Sequence, residues 1–133
     1  MDRLFLDANV LFSAAYRPDS GLLRLWQHKD ILLCSSRYAL EEARINLVEE
    51  DQRTRLTKLS APVRLFDAGE GKLPRSVSLP EKDAPIILAA IGARATHLLT
   101  GDIRHFRTYL GKKIEGIAIV LPREYLRRRR GLK

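Results

Sequence analysis

Two short apolar runs, each ending at an acid, constrain the fold of this chain more than any other feature. Leu4–Leu6 ends at Asp7, and residues 97–100 end at Gly101 and Asp102. Short apolar runs of this kind are typical of buried strands, and open α/β sheets bind ligands at the carboxyl ends of their strands. Two carboxylates placed there repel each other unless a cation or a shared proton offsets the charge. The pattern therefore predicts a sheet with an acidic site at one edge.

Length, charge and cysteine content restrict the class of protein. The chain has 133 residues, one cysteine and no apolar run near the roughly 18 residues that span a bilayer. We therefore expect one domain over residues 1–133, no membrane segment, and a reducing, cytoplasmic location. The net charge of +8 favours a polyanionic partner, and it includes a basic tail over about residues 127–133. A solvated basic surface remains the alternative reading of that charge.

The rest of the chain alternates between strand and helix patterns. Strands are predicted at residues 3–6, 31–34, 63–66, 97–100 and 117–121. Helices are predicted within residues 11–15, 22–29, 37–48, 53–59 and 80–95, with a basic turn or helix after Pro122. Residues 67–80 are rich in Gly, Pro and Ser and are predicted to form a loop. Alternating strands and helices favour an α/β fold. We predict a single-domain three-layer sandwich with a mostly parallel five-stranded sheet.

Four acidic positions can meet in such a fold. Asp7 and Asp102 end strands, Asp83 opens a helix, and Glu41 or Glu42 lies in the first turns after the second strand. Each has a structural explanation as a helix cap, a turn residue or part of a solvated face. On a helical wheel Glu41 lies nearer the apolar stripe than Glu42. Taken together, however, clustered carboxylates in a basic protein suit Mg²⁺ or Mn²⁺ and the cleavage of nucleic acid.

Five segments then give a specific resemblance to PIN-domain nucleases. In chain order they are FLDANVL (residues 5–11), SRYALEEARINL (36–47), EKDAPIILAA (81–90), LLTGDIRHF (98–106) and LPREYL (121–126). Each motif is weak by itself, whereas their order and spacing over nearly the whole chain are specific. The second motif of the family contains a site glutamate. Counting from Ser36 to Leu47, that glutamate corresponds to Glu42 rather than Glu41.

The resemblance implies a sheet in the order 3-2-1-4-5 and a divalent-metal site. On this analogy the catalytic acids are Asp7, Glu42, Asp83 and Asp102. Three of them, Asp7, Asp83 and Asp102, would bind Mg²⁺ or Mn²⁺, and Glu42 would orient the attacking water. Asn9 and Thr100 would hold the carboxylates in place.

The resemblance also implies partners and a substrate. RNA is the expected substrate, a homodimer is the expected assembly, and many members are the toxin of a toxin–antitoxin pair with a small antitoxin partner. Residues predicted to contact RNA are Arg17, Arg104, His105, Arg107, Lys112 and Lys113. One departure is that many members carry a further acid shortly after the fourth, where this chain has Arg104 and His105. That departure argues against a second tightly bound metal.

Two alternatives remain open at this point. A haloacid dehalogenase-like phosphatase also begins with an acid after its first strand, but its chemistry requires a second acid two residues later. This chain has Asn9 at that position. The other alternative is a PIN-like module that binds RNA or a protein partner without cleavage. The presence of all four acids favours the nuclease over that module.

Overall fold

The structure, a computed structural model, describes residues 1–67, 73, 77, 79 and 83–131, except for the side chains of residues 130 and 131. Within those residues the strands are β1 (Asp2–Leu6), β2 (Ile31–Ser36), β3 (Arg64–Phe66), β4 (His97–Leu99), β5 (Lys113–Ile114) and β6 (Ile117–Val120). The α-helices there are α1 (Ala8–Tyr16), α2 (Arg37–Asn46), α3 (Glu50–Ser60), α4 (Ala84–Gly92), α5 (Ile103–Phe106) and α6 (Pro122–Gly131). None of the helices in these ranges is both long and apolar enough to cross a membrane.

The strands form one sheet in the order β3-β2-β1-β4-β6-β5. Every neighbouring pair is parallel except β5 and β6. The predicted α/β class and the order of the five parallel strands are confirmed, with β6 as the predicted fifth strand. The additional strand β5 has only two residues, too few to give a periodic pattern. It pairs with β6 through a tight turn at Glu115 and Gly116, which both have positive φ angles (49° and 81°).

Strand β1 lies at the centre of the core. Its last three residues, Leu4, Phe5 and Leu6, are all fully buried. Because successive side chains of a strand point to opposite faces of the sheet, burial of three in a row means that both faces of the sheet are covered. Helix α1, which follows β1, packs against α2 and α3. The three-layer arrangement therefore places the carboxyl end of β1 inside the molecule.

The helix boundaries differ from the sequence prediction in several places. Helix α2 begins after Ser36, whose hydroxyl caps it by accepting a hydrogen bond from the Ala39 N–H (3.0 Å). The segment predicted as a helix from residue 22 to 29 is instead a 3-10 helix, Gly21–Trp26. The Trp26 indole donates to the Leu59 carbonyl (2.8 Å), a tertiary contact that holds this short segment in place. Most of the predicted loop, and the predicted helix start at residues 80–82, lie outside the described residues.

Two adjacent residues that follow α2 differ in burial, and this difference allows an experimental test of the core. Leu47 is fully buried, whereas Val48 is 84% exposed. Leu47→Ala is expected to lower the free energy of unfolding by about 2–5 kcal/mol, because it removes buried methyl groups and leaves a cavity. Val48→Ala is expected to change it by less than about 0.5 kcal/mol. Urea unfolding of both variants checks the prediction, and equal effects would contradict the position of Leu47 in the core.

Candidate active site

Parallel pairing of β1 with β4 brings two polar residues together at the carboxyl edge of the sheet. Leu6 pairs with Leu99, and the Asp7 N–H donates to the Leu99 carbonyl (3.1 Å), which extends the ladder by one residue. Asp7 and Thr100 therefore leave the two strands side by side. The Thr100 hydroxyl donates a hydrogen bond of 2.8 Å to Asp7 Oδ2. The sheet register alone is enough to produce this contact.

Asp7 is buried and extensively hydrogen-bonded. Its Oδ1 accepts a bond from the Ala8 N–H (2.7 Å), which caps α1, and its Oδ2 also accepts one from the Asn9 amide (3.1 Å). Burial is the main cause that raises the pKa of Asp7, and the charges of Asp83 and Glu42 raise it further. The bonds from Thr100 and Ala8 act in the opposite direction. An ionised Asp7 is thus costly here without a cation to offset its charge.

Asn9 links the loop after β1 to the loop after β4. Besides donating to Asp7, its side-chain oxygen accepts a hydrogen bond of 2.7 Å from the Gly101 N–H. A Cβ atom at position 101 would lie 3.2 Å from that oxygen, so glycine gives Asn9 the room for its close approach. The Thr100 hydroxyl in turn accepts a bond from the Asp102 N–H (3.0 Å). Asn9 and Thr100 are therefore hydrogen-bonded to Asp7 and to the backbone of the loop that carries Asp102.

Asp102, Asp83 and His105 form a compact group beside this network. Asp102 caps α5 by accepting a hydrogen bond from the His105 N–H (3.0 Å). This cap directs the imidazole back toward the acids, and His105 Nδ1 lies 2.8 Å from an oxygen of Asp83 and 2.8 Å from an oxygen of Asp102. The His105 side chain is only 16% exposed. The sequence predicts that His105 contacts RNA, and the structure places its imidazole beside the carboxylates of Asp83 and Asp102.

The structure also distinguishes the two neighbouring glutamates of α2. Glu42 lines the same cleft as Asp7, Asp83 and Asp102. Glu41 points away, forms an ion pair with Arg44 (2.5 Å), and has a side chain that is 53% exposed. The count along the family motif selects Glu42, which is the glutamate that lines the cleft, whereas the helical wheel placed Glu41 nearer the apolar stripe.

The apolar stripe expected over the predicted helix 37–48 differs from the face that packs on the core. Val48, the last residue of that prediction, follows the helix and is exposed. The residues of α2 that face the core are Ala39 and Ala43, followed by Leu47 at the cap. At 100° per residue, Glu42 lies about 100° from the centre of that stripe and Glu41 about 160° from it. Glu42 is therefore at the border of the buried face, where a side chain can reach a cleft.

These side chains enclose a cleft with a volume of about 410 Å³. The residues that line it are Asp7, Ala8, Asn9, Phe12, Glu42, Ala43, Asn46, Asp83, Ile86 and Asp102. All four acids predicted from the sequence are in this set. The sequence reasoning did not identify Phe12 or Asn46 as lining residues. Helical spacing would have indicated both, because Asn46 lies one turn after Glu42 and Phe12 lies one turn after Asn9 on α1.

The basic residues predicted to contact RNA occupy different parts of the surface. Arg17 is exposed at the end of α1, next to a depression that shares Phe12 with the acidic cleft. Arg104 and Arg107 are exposed in and directly after α5, close in sequence to Asp102. Lys112 and Lys113 line a separate depression beside the edge strand β5. Arg104 and Arg107 are thus closer to Asp102 along the chain than Lys112 and Lys113, which lie beside the edge of the sheet.

The chemistry of the cleft fits a divalent cation. Carboxylate oxygens are the ligands that Mg²⁺ and Mn²⁺ prefer. One donor atom each from Asp83, Asp102 and His105 lies within 4.8 Å of the others, close enough to share one ion. His105 Nδ1 is buried, and no hydrogen bond with suitable alignment reaches it from any described residue. Asp7 and Glu42 line the same cleft outside this group of three, so the acids surround one small volume.

Comparisons with known proteins agree with this geometry. A family model described as PIN domain matches residues 3–104. Among solved structures, the chain is similar to a chain of VapBC2 from Rickettsia felis. That structure was solved with VapBC2 bound to a DNA fragment from its promoter. The TM-score is 0.62 and the identity is 20%, over 88% of this chain and 96% of that chain. No curated protein gave a significant match.

Proposed function

The chain belongs to the PIN-domain family, and on that premise we propose that it is a divalent-metal-dependent endoribonuclease that hydrolyses RNA phosphodiester bonds. The main support for the proposal is that four carboxylates line one cleft of a protein with a net charge of +8. Among the described residues, no lysine or arginine lines this cleft, so a bound cation is the natural group to offset the repulsion between its acids. Phosphodiesters are anionic and bind readily to the basic surface around such a site.

Each acid has a proposed role that follows from its place in the cleft. Asp7, Asp83 and Asp102 hold Mg²⁺ or Mn²⁺, and Asn9 and Thr100 keep Asp7 and the Asp102 loop in position. When bound, the cation supplies positive charge for the phosphate oxygens and makes water more acidic. Glu42 orients the attacking water and accepts its proton. In-line attack on phosphorus would leave a 3′-hydroxyl and a 5′-phosphate.

The phosphatase alternative is less consistent with the site than the nuclease. Its chemistry needs an acid at position 9 that exchanges protons with substrate. Asn9 is an amide, and both ends of its side chain are engaged, with Asp7 and with the Gly101 N–H. The match to the PIN-domain model also favours the nuclease family. A PIN-like module that binds without cleavage remains the second candidate.

Cleavage of a mixed panel of single-stranded and structured RNAs tests the proposal directly. The protein would be incubated with Mn²⁺, with Mg²⁺ and with a chelator in excess. We expect cleavage with at least one metal, products that carry a 5′-phosphate, and no cleavage with the chelator, because the carboxylates then lack their cation. Restoring Mn²⁺ after chelation should restore the rate. Binding of RNA without cleavage under every condition would instead support the non-catalytic module.

The proposal extends to partners. We propose that the protein is the toxin of a toxin–antitoxin pair, with a small antitoxin protein as its partner and a homodimer as its assembly. The family membership supports this extension, as does the fold shared with VapBC2 from Rickettsia felis. Light scattering of the purified chain would test the dimer, and a mass corresponding to one chain would contradict it.

A further inference from the structure

We propose that His105 is a direct metal ligand, which adds a nitrogen donor to the carboxylate site and shifts its preference from Mg²⁺ toward Mn²⁺. The inference rests on the proposed function for the presence of a metal, but it concerns a residue outside the four family acids. It makes His105 a binding residue of this chain rather than a surface contact for RNA.

The position of the imidazole carries the inference. His105 Nδ1 lies 2.8 Å from Asp83 Oδ2 and 2.8 Å from Asp102 Oδ2. All three donor atoms lie within 4.8 Å of one another. The side chain is 16% exposed, and Nδ1 itself is buried. The N–H of His105 donates to Asp102 Oδ1, so the first turn of α5 fixes the ring in this place.

The distances match those between neighbouring ligands of a single ion. Two ligands at right angles around an octahedral ion, each about 2.1 Å from it, are separated by about 3.0 Å. Both Nδ1–oxygen distances are close to this value. The three atoms can therefore occupy three positions of one coordination shell, with the remaining positions open to Asp7, to water or to substrate oxygens.

A simple ion pair between histidine and the acids explains these contacts less well. A protonated imidazole would direct its N–H at one carboxylate oxygen in a well-aligned hydrogen bond. Nδ1 is near both oxygens and is aligned with neither, nor with any other described acceptor. Convergence without hydrogen-bond alignment is the arrangement expected when the lone pairs of all three atoms point to a common centre.

A nitrogen ligand has a consequence for the choice of metal. Mg²⁺ strongly prefers oxygen donors, whereas imidazole binds first-row transition metals well. Imidazole is also neutral, so it adds a donor atom without the negative charge that a further carboxylate would bring, and Mg²⁺ gains less from it than from a carboxylate. We therefore expect the wild-type site to favour Mn²⁺ over Mg²⁺ by a larger factor than the same site without His105.

Electron spin-echo spectroscopy of the protein loaded with Mn²⁺ alone tests the inference without RNA or activity. Imidazole coordination couples the manganese spin to a nitrogen nucleus, and labelling the histidines with ¹⁵N identifies that nucleus. We expect the histidine signal in the wild type and in His28→Gln, and its loss in His105→Gln. The Mn²⁺ dissociation constant should rise at least about tenfold in His105→Gln, with a smaller change for Mg²⁺. His105→Asp should recover Mg²⁺ binding without the nitrogen signal.

The chain offers a second route if His105→Gln does not fold. It contains three histidines, so a variant with both His28→Gln and His97→Gln retains only His105. A histidine signal in that variant supports the inference, and the absence of any histidine signal in the Mn²⁺-loaded wild type overturns it. Persistence of the signal in a folded His105→Gln variant also overturns it. These outcomes are separable from the nuclease proposal, because RNA cleavage without histidine coordination would remove the inference and leave the proposed function intact.

Discussion

Replacing Asp7 by Asn is expected to lower the rate of RNA cleavage by about a thousandfold or more, because metal-assisted catalysis is worth several kcal/mol and each 1.36 kcal/mol is a factor of ten. Asp7 is the most deeply embedded acid of the cleft, at 6% exposure. Its carboxylate is held by three neighbouring groups from Ala8, Asn9 and Thr100. The substitution removes a negative charge from the centre of the site and retains the size of the side chain.

Asparagine also changes the hydrogen bonding of the site, and the experiment must control for this. Both Thr100 and Asn9 donate to Asp7 Oδ2, and the Ala8 N–H donates to Oδ1, so one amide oxygen cannot serve all three. Circular dichroism and thermal unfolding should establish that the variant is folded. Asp51→Asn is the matched control, because Asp51 lies on α3 with a side chain that is 72% exposed. We expect the control to cleave at the wild-type rate.

The same pair of proteins tests the toxin proposal in cells. Induced expression of the wild type should arrest growth, and Asp7→Asn should not, although both accumulate to similar levels. Undiminished cleavage by a folded Asp7→Asn protein would contradict the assignment of the site. Equal growth with both proteins, alongside cleavage by the wild type in vitro, would favour a processing nuclease over a toxin.

Glu42→Gln is expected to lower the cleavage rate by about a hundredfold or more, the usual contribution of a positioned acid or base. The adjacent change Glu41→Gln is expected to leave the rate within about twofold, since an exposed ion pair contributes little. The two residues have the same chemistry and occupy successive positions of α2. They differ in direction, because Glu42 faces the cleft and Glu41 pairs with Arg44 on the surface.

This comparison separates a role in catalysis from a general effect of charge. Both variants lose one negative charge, so a change in RNA affinity alone would affect them similarly. Rates at saturating RNA distinguish the two, because a loss confined to Glu42→Gln at saturation is a loss in the chemical step. A larger effect for Glu41→Gln would mean that the cleft is not the catalytic site.

Much of this architecture is visible in the sequence because it depends on local chemistry. Leu4–Leu6 is a short apolar run with a polar residue directly after it, and such a run forms a buried strand in almost any sheet context. Ser36 caps α2 because a hydroxyl before a helical segment satisfies a free N–H. The same reasoning, an apolar run followed by an acid, predicts that strands end at Asp7 and Asp102. It also predicts an acidic site at one edge of the sheet.

Other features depend on contacts between distant parts of the chain. Strand β5 exists because residues 113–114 pair with β6, and two residues have no strand pattern of their own. The predicted α-helix near Trp26 is a 3-10 helix, and the indole of Trp26 bonds to Leu59, 33 residues away in the sequence. In both cases a tertiary contact outweighed or replaced the weak local preference of a short segment.

The sequence by itself determined the α/β class, the order of the parallel strands through the family motifs, and the identity of the acids at the strand ends. The tertiary structure alone decided where side chains on helices point. Glu42 faces the cleft because Ala39 and Ala43 orient α2 on the core, and His105 meets Asp83 because the Asp102 cap turns α5 toward the site. The ends of strands come together through backbone pairing, and the apolar pattern of the sequence predicts where the strands end. The rotation of a helix about its axis is instead set by packing against the rest of the fold.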